Sequence, residues 1–247
     1  VETARSVTCI QERGPRGYQE DRSFYKYIEY PQGRGWLLAV MDGHGGALVA
    51  DLCVKEIEHL FTLQNMETVE EALRSLVSAL NEKTSRSYVG STLSVACILE
   101  DRKEVSIAVL GDSPVVVLGS NGKLHVSPEH NVRSNMKERE AVEKRGGVYE
   151  GGYIWTKYRD HGLQMSRALG DAYLEGILSR DPEIYTITDP QWILVASDGL
   201  IDPGHNQSEE LFSEIGEYAK KNATADDLMK WAVSRELRDN ATAIVWS

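Results

Sequence analysis

The feature that most constrains this chain is the order of its periodic segments. Two stretches with helical spacing lie back to back: Val49, Leu52, Cys53, Ile57, Leu60 and Phe61 make one apolar stripe, and Val69, Ala72, Leu73, Leu76, Val77 and Leu80 make the next. A second pair comes near the end, one segment carrying Leu211, Phe212 and Ile215, the other Leu228, Met229, Ala232 and Val233. Strand-like runs fill the spaces between the pairs. Ser6 to Gln11, Arg22 to Glu29 and Trp36 to Met41 precede the first pair; Ser91 to Leu99, Glu104 to Leu110, Val115 to Leu118 and Lys123 to Val126 follow it. Glu183 to Thr188 and Trp192 to Ala196 precede the second pair, and Ala241 to Trp246 closes the series. Parallel strands need a crossover between each strand and the next, usually a helix. Helices that come two at a time therefore predict mainly antiparallel sheets covered by helix pairs, an α+β chain.

Turn chemistry supports that order. Pro31-Gln32-Gly33-Arg34-Gly35 separates two strand runs and predicts a hairpin, as does Asn121-Gly122 further on. A polar helix is expected over Ser134 to Lys144, stopped by Gly146-Gly147, with a loop-rich stretch after it. Nothing in the 247 residues reads as a repeat, a low-complexity tract or a linker, so residues 1–247 are expected to form a single domain.

Composition excludes some functions. The formal charge of −11 is unsuited to a nucleic-acid surface, since the phosphate backbone would repel it. No segment approaches the roughly 20 apolar residues a membrane span needs, and Val1 to Ser6 are too polar for a secretory leader. Cys9, Cys53 and Cys97 are far apart and odd in number, which fits neither a disulfide framework nor a zinc site. They are expected as buried thiols in a reducing, cytoplasmic setting. The histidines show no paired ligand spacing.

The acid content is informative by position. Asp42-Gly43, Asp112-Ser113 and Asp198-Gly199 each follow an apolar strand run, and Asp239-Asn240 immediately precedes the last strand. One such dipeptide is an ordinary turn. Four that converge on the rim of one sheet would repel unless a cation sat among them, and carboxylates without Cys or His partners suit magnesium or manganese. The loops lack the ligand spacing of an EF-hand. Upstream, Arg16, Glu20 and Asp21 form a compact group whose guanidinium could grip a phosphate through paired hydrogen bonds. His44, set between glycines beside Asp42, could protonate a leaving group near neutral pH.

Taken in order, Asp42-Gly43-His44-Gly45-Gly46, Gly90-Ser91-Thr92, Gly111-Asp112-Ser113, Ser166-Arg167-Ala168-Leu169-Gly170-Asp171, Ser197-Asp198-Gly199 and Arg238-Asp239-Asn240 resemble the metal-dependent protein serine/threonine phosphatases of type 2C. The resemblance runs from Arg16 to about Val245. It implies a four-layer sandwich, with two antiparallel β-sheets flanked by pairs of antiparallel helices. It further implies two Mg2+ or Mn2+ ions bridged by Asp42, one helped by the Gly43 carbonyl and the other completed by Asp198 and Asp239. Glu20 and Asp21 would orient metal-bound waters, Arg16 would hold the substrate phosphate, and His44 would be the general acid. Asp112 and Asp202 match a third, weaker metal position. The implied reaction is direct attack of a metal-activated water on a phosphoserine or phosphothreonine of a phosphoprotein, by a monomer with neither nucleic acid nor membrane as partner.

The chain departs from the family pattern at Pro114, where Arg is common, and at Ile201, where an aromatic residue is frequent. Glu129-His130 stands for Asp-His, and the segment Ala172 to Arg180, where the family carries a flap, is short. Two other functions remain open on sequence: a catalytically silent regulatory module, and a phosphatase of small phosphate esters.

Overall fold

Two antiparallel sheets pack face to face, and each carries a helix pair on its outer side. The computed structural model describes residues 4–62 and 66–247; Val1, Glu2 and Thr3 of the polar opening segment lie outside the described residues. The chain begins with β1 (Val7–Glu12), β2 (Asp21–Tyr30) and β3 (Gly33–His44), followed by α1 (Leu48–Leu60) and α2 (Val69–Thr84). Next come β4 (Gly90–Ser91), β5 (Leu93–Leu99), β6 (Glu104–Leu110), β7 (Val115–Gly119) and β8 (Leu124–Val126). Then follow α3 (Met136–Lys144), β9 (Val148–Glu150), β10 (Tyr153–Trp155), β11 (Gly162–Leu163) and β12 (Leu169–Gly170). The last part holds β13 (Glu183–Thr188), β14 (Pro190–Ala196), α4 (Ser208–Lys220), α5 (Ala225–Ser234) and β15 (Ala241–Trp246).

One sheet has the order β1-β15-β14-β7-β8; the other runs β12-β4-β3-β5-β6-β13 with β2 paired to β3. Every pairing between these strands is antiparallel. The alternation of side chains along a strand makes the layers. On β3, Leu37, Ala39 and Met41 face α1 and α2 and meet Ile57, Leu73 and Leu76. Leu38 and Val40 face the other way and meet Val115, Val117, Ile193, Val195 and Ile244 of the opposite sheet. On β14, Trp192, Leu194 and Ala196 face α4 and α5, against Phe212, Ile215, Leu228 and Met229. Strands apolar on both faces suit the two inner layers of four, as expected. Local signals set the helix starts: Thr68 caps α2 by accepting from the Glu71 amide, Asn135 caps α3, and Thr224 forms a reciprocal capping box with Asp227 at α5, each cap stabilising by about 1 kcal/mol.

Three expectations change. The predicted turn over Pro31 to Gly35 shrinks, because β3 already begins at Gly33. Gly35 is a close-approach glycine; a Cβ there would lie 1.9 Å from the Ile98 carbonyl oxygen. The run Ser91 to Leu99 divides at Thr92, whose amide donates to the Asp42 carbonyl at 3.0 Å and whose hydroxyl accepts the Asp42 amide at 3.0 Å. The loop-rich stretch after α3 contains a small sheet, β11-β10-β9, closed over its own core of Val132, Val142, Ile154, Leu163, Leu174 and Leu178. Leu174 and Leu178, from the short Ala172 to Arg180 segment, are thereby anchored beneath α3. No helix among the described residues is long and apolar enough to cross a membrane.

Candidate active site

Asp42 is not the end of its strand. β3 runs on through Gly43 and His44, which pair with Ser91 and Gly90 of β4, so Asp42 sits inside the sheet opposite Asp21 of β2. Gly43 is held close to the preceding turn: its amide donates to the Glu20 carbonyl at 3.2 Å, and a Cβ would lie 2.8 Å from that oxygen. Asp198 opens a short 3-10 turn after β14, and Asp239 stands just before β15. Gly199 lets the two segments touch, since a Cβ there would meet the Asn240 carbonyl at 1.9 Å. The antiparallel neighbours β14 and β15 thus deliver Asp198 and Asp239 to the same rim, facing Asp21 and Asp42 from the other sheet.

Electrostatics record the crowding. Burial, then the charges of Asp21 and Asp198, push the Asp42 carboxyl well above the usual carboxylate range. Burial and Asp112 raise Asp198 to about 6. Asp21 is raised chiefly by burial, against hydrogen bonds that favour its ionised form. Two of those bonds come from the Ser197 and Thr242 hydroxyls, both 2.7 Å from Asp21 Oδ2, while Asp21 Oδ1 is buried with no hydrogen-bond partner of standard geometry among the described residues. Carboxylates so placed, with an orphaned buried oxygen and no basic side chain between Asp21 and Asp42, fit a divalent cation. The donors are all oxygens here, as magnesium and manganese prefer.

The remaining predicted residues surround this centre. Glu20 is nearly buried; its Oε2 accepts the Gly46 amide at 2.5 Å, which ties the lead-in of α1 to the acidic turn. Its own amide donates to Asn240 Oδ1 at 2.8 Å. Arg16 Nε lies 3.3 Å from Asp239 Oδ1, with 46% of the Arg16 side chain exposed. His44 Nε2 is 2.6 Å from Asp171 Oδ2, and His44 Nδ1 has no partner among the described residues. Burial opposes the imidazolium, but the Asp171 carboxylate outweighs it and raises the His44 pKa.

Asp112 and Asp202 have different hydrogen-bond partners. Asp202 Oδ2 accepts from the Gln207 amide at 2.6 Å and from the Ser208 hydroxyl at 3.1 Å, at the start of α4. Asp112 instead groups with Asp198 and His205. Sequence reasoning gave His205 no role, and Asp171 was quoted only as the end of a motif. His205 follows Asp198 by seven residues in a Pro-Gly turn, with no periodicity to mark it.

Comparison with known proteins identifies the family of the chain. The model for protein phosphatase 2C matches residues 19–243. A rice (Oryza sativa subsp. japonica) relative named probable protein phosphatase 2C 45 is 32% identical over 220 residues, covering 85% of this chain and 75% of its own length. An Arabidopsis thaliana relative, probable protein phosphatase 2C 69, is 31% identical over 224 residues, covering 85% of this chain and 60% of its own length. In fold, the chain is similar to the crystal structure of serine-threonine phosphatase 2C from Toxoplasma gondii, with a TM-score of 0.76 at 18% identity over 97% of this chain and 93% of that one. The family model spans most of the chain and the rice relative is covered over three quarters of its length, so the chain belongs to the protein phosphatase 2C family.

Proposed function

We propose that this chain is a metal-dependent protein phosphatase that hydrolyses phosphoserine and phosphothreonine with two Mg2+ or Mn2+ ions. The observation that carries the reading is the convergence of Asp21, Asp42, Asp198 and Asp239 from the two sheets, with Arg16 and His44 beside them. Asp42 would bridge the ions, the Gly43 carbonyl would help hold one, and Asp198 and Asp239 would complete the other. Bound there, the cations supply charge to the phosphoryl oxygens and acidify the attacking water.

The chain's own groups account for the rest. Arg16, anchored by Asp239, binds the substrate phosphate and stabilises the charge that spreads over its oxygens. Asp21 presents Oδ1, because Ser197 and Thr242 occupy Oδ2, and with Glu20 it orients the attacking water and receives its proton. Asp171 takes His44 Nε2–H, leaving Nδ1–H to protonate the serine or threonine oxygen as the P–O bond breaks. Cys53 and Cys97 are buried free thiols pushed up to about 12 by burial, which suits a reducing, cytoplasmic setting.

The test is release of phosphate from a phosphothreonine peptide and from small phosphate esters, with Mn2+ present. Turnover of the peptide with the higher kcat/KM supports a protein phosphatase. Preference for the small esters contradicts the substrate, and absence of turnover on both contradicts an active enzyme.

A further inference from the structure

The segment before β4 lies against the glycine loop that follows His44. His44 pairs with Gly90, and Cβ atoms placed on Gly45 and Gly46 would lie 3.6 and 3.5 Å from Val89 Cγ1. Val89 also approaches α1: a Cβ on Gly170 would meet the Val89 carbonyl oxygen at 2.2 Å and Val49 Cγ2 at 3.2 Å. Val49 is buried and Val89 partly buried, whereas the residues just before them face solvent. Leu48 is 66% exposed and Tyr88 76%. Tyr88 has neither a hydrogen-bond partner for its hydroxyl nor a ring contact among the described residues.

The backbone beneath Tyr88 is fixed all the same. The Ser87 amide donates to the Thr84 carbonyl at 2.9 Å, and the Ser87 carbonyl accepts the Ala172 amide at 2.8 Å. The Val89 carbonyl accepts the Asp171 amide at 3.1 Å. An exposed aromatic on a fixed backbone has little freedom to lose when another group covers it.

Position names the occupant. Asp171 holds His44 Nε2, so the leaving serine or threonine oxygen meets Nδ1. The substrate chain therefore leaves the phosphate on the His44 side, over Gly45 and Gly46, which present no side chains. An extended chain advances about 3.5 Å per residue, which carries the neighbours of the phosphoresidue onto Tyr88 and Leu48.

We propose that Tyr88 and Leu48 form an apolar platform that binds the residue adjacent to the phosphoserine or phosphothreonine, selecting phosphoproteins with a large apolar side chain there. The inference rests on the phosphatase reading above, with His44 as the proton donor. Covering the platform removes apolar surface from water on both partners, and a bare phosphate ester has no neighbouring residue to cover it. The carboxylate rim thus acts on the phosphate, and the platform chooses among the proteins that carry one.

The test measures phosphate release by the full chain, with Mn2+, from pairs of phosphothreonine peptides that differ only by Leu or Gly next to the phosphothreonine, on one side or the other. The expected result is a kcat/KM about 10-fold higher with Leu on at least one side, carried by KM. In Leu48→Ser and Tyr88→Ser that ratio falls, and in the double variant it approaches about 1. Damage to the fold alone would slow both peptides of a pair and leave the ratio as it was. Should circular dichroism show the double variant unfolded, the single variants decide by the same ratio. Equal turnover of both peptides by the wild type overturns the inference alone, as does an undiminished ratio in the folded variants. Absence of turnover on every peptide overturns the phosphoprotein reading along with it.

Discussion

His44 Nε2 and Asp171 Oδ2 are 2.6 Å apart although 127 residues separate them in the chain. Two backbone features make the contact. Asp171 adopts a left-handed conformation, φ 52°, at the end of β12, and Gly90 of β4 leaves its side-chain space empty between the partners. A Cβ on Gly90 would lie 2.1 Å from Asp171 Oδ2 and 2.5 Å from His44 Nε2. The glycine of β4 is thus a condition of the His44–Asp171 contact.

If Asp171 holds the proton-donating histidine, Asp171→Asn and Gly90→Ala should both slow substrates with poor leaving groups, by about 10- to 100-fold. Aryl phosphates with good leaving groups should slow much less, and His44→Gln should show the same pattern. Rates across a series of aryl phosphates check this. Equal slowing across the series would count against proton donation by His44.

The crowded carboxylates should cost the metal-free protein stability. Asp42→Asn is expected to raise the melting temperature in chelator by roughly 2–4 °C, the size of about 1 kcal/mol in a chain of this length. The same variant should lose the rise in melting temperature that Mn2+ gives the wild type. The sign with pH follows from Asp198, whose carboxyl is raised to about 6 from 3.8. Its favourable contribution is complete below pH 3.8 and lost as pH rises through about 6. The advantage of Asp198→Asn over wild type in chelator should therefore grow between pH 4 and pH 7, read from melting curves. A constant difference would contradict the assignment.

Glu138 on α3 is a charge of the opposite kind. Burial opposes its ionisation, but Arg167, whose Nε is 2.5 Å from Glu138 Oε1, and His130 outweigh burial and lower its pKa. His130 Nδ1 in turn accepts the Gly111 amide at 3.0 Å, next to Asp112. A carboxyl with a depressed pKa stabilises the fold above its ordinary value of 4.5 and loses that contribution as pH falls through the lowered one. Glu138→Gln should cost about 2–3 kcal/mol at pH 7. The cost should shrink below pH 4 in denaturant titrations.

The layers were legible because β3 and β14 are apolar on both faces while α1, α2, α4 and α5 are apolar on one, a contrast that periodicity reads directly. The acids of the rim were legible because Asp42, Asp198 and Asp239 each border an apolar strand. Gly35 was misread because a close-approach glycine and a turn glycine look alike until the partner strand is known. The strands β9, β10 and β11 are two or three residues long, too short for any alternation to register. His205 reaches Asp112 only through the folding-back of a loop, and such a contact leaves no spacing in the sequence.

The central claim, that the carboxylate rim works through divalent cations, is tested most directly by phosphothreonine-peptide hydrolysis after thorough chelation and again after Mn2+ is restored. The account predicts that chelated wild type loses activity and Mn2+ returns it, whereas folded Asp198→Asn and Asp239→Asn stay at least about 100-fold below wild type at any Mn2+ concentration. Activity that survives chelation, or near-normal rates in both variants, would contradict it.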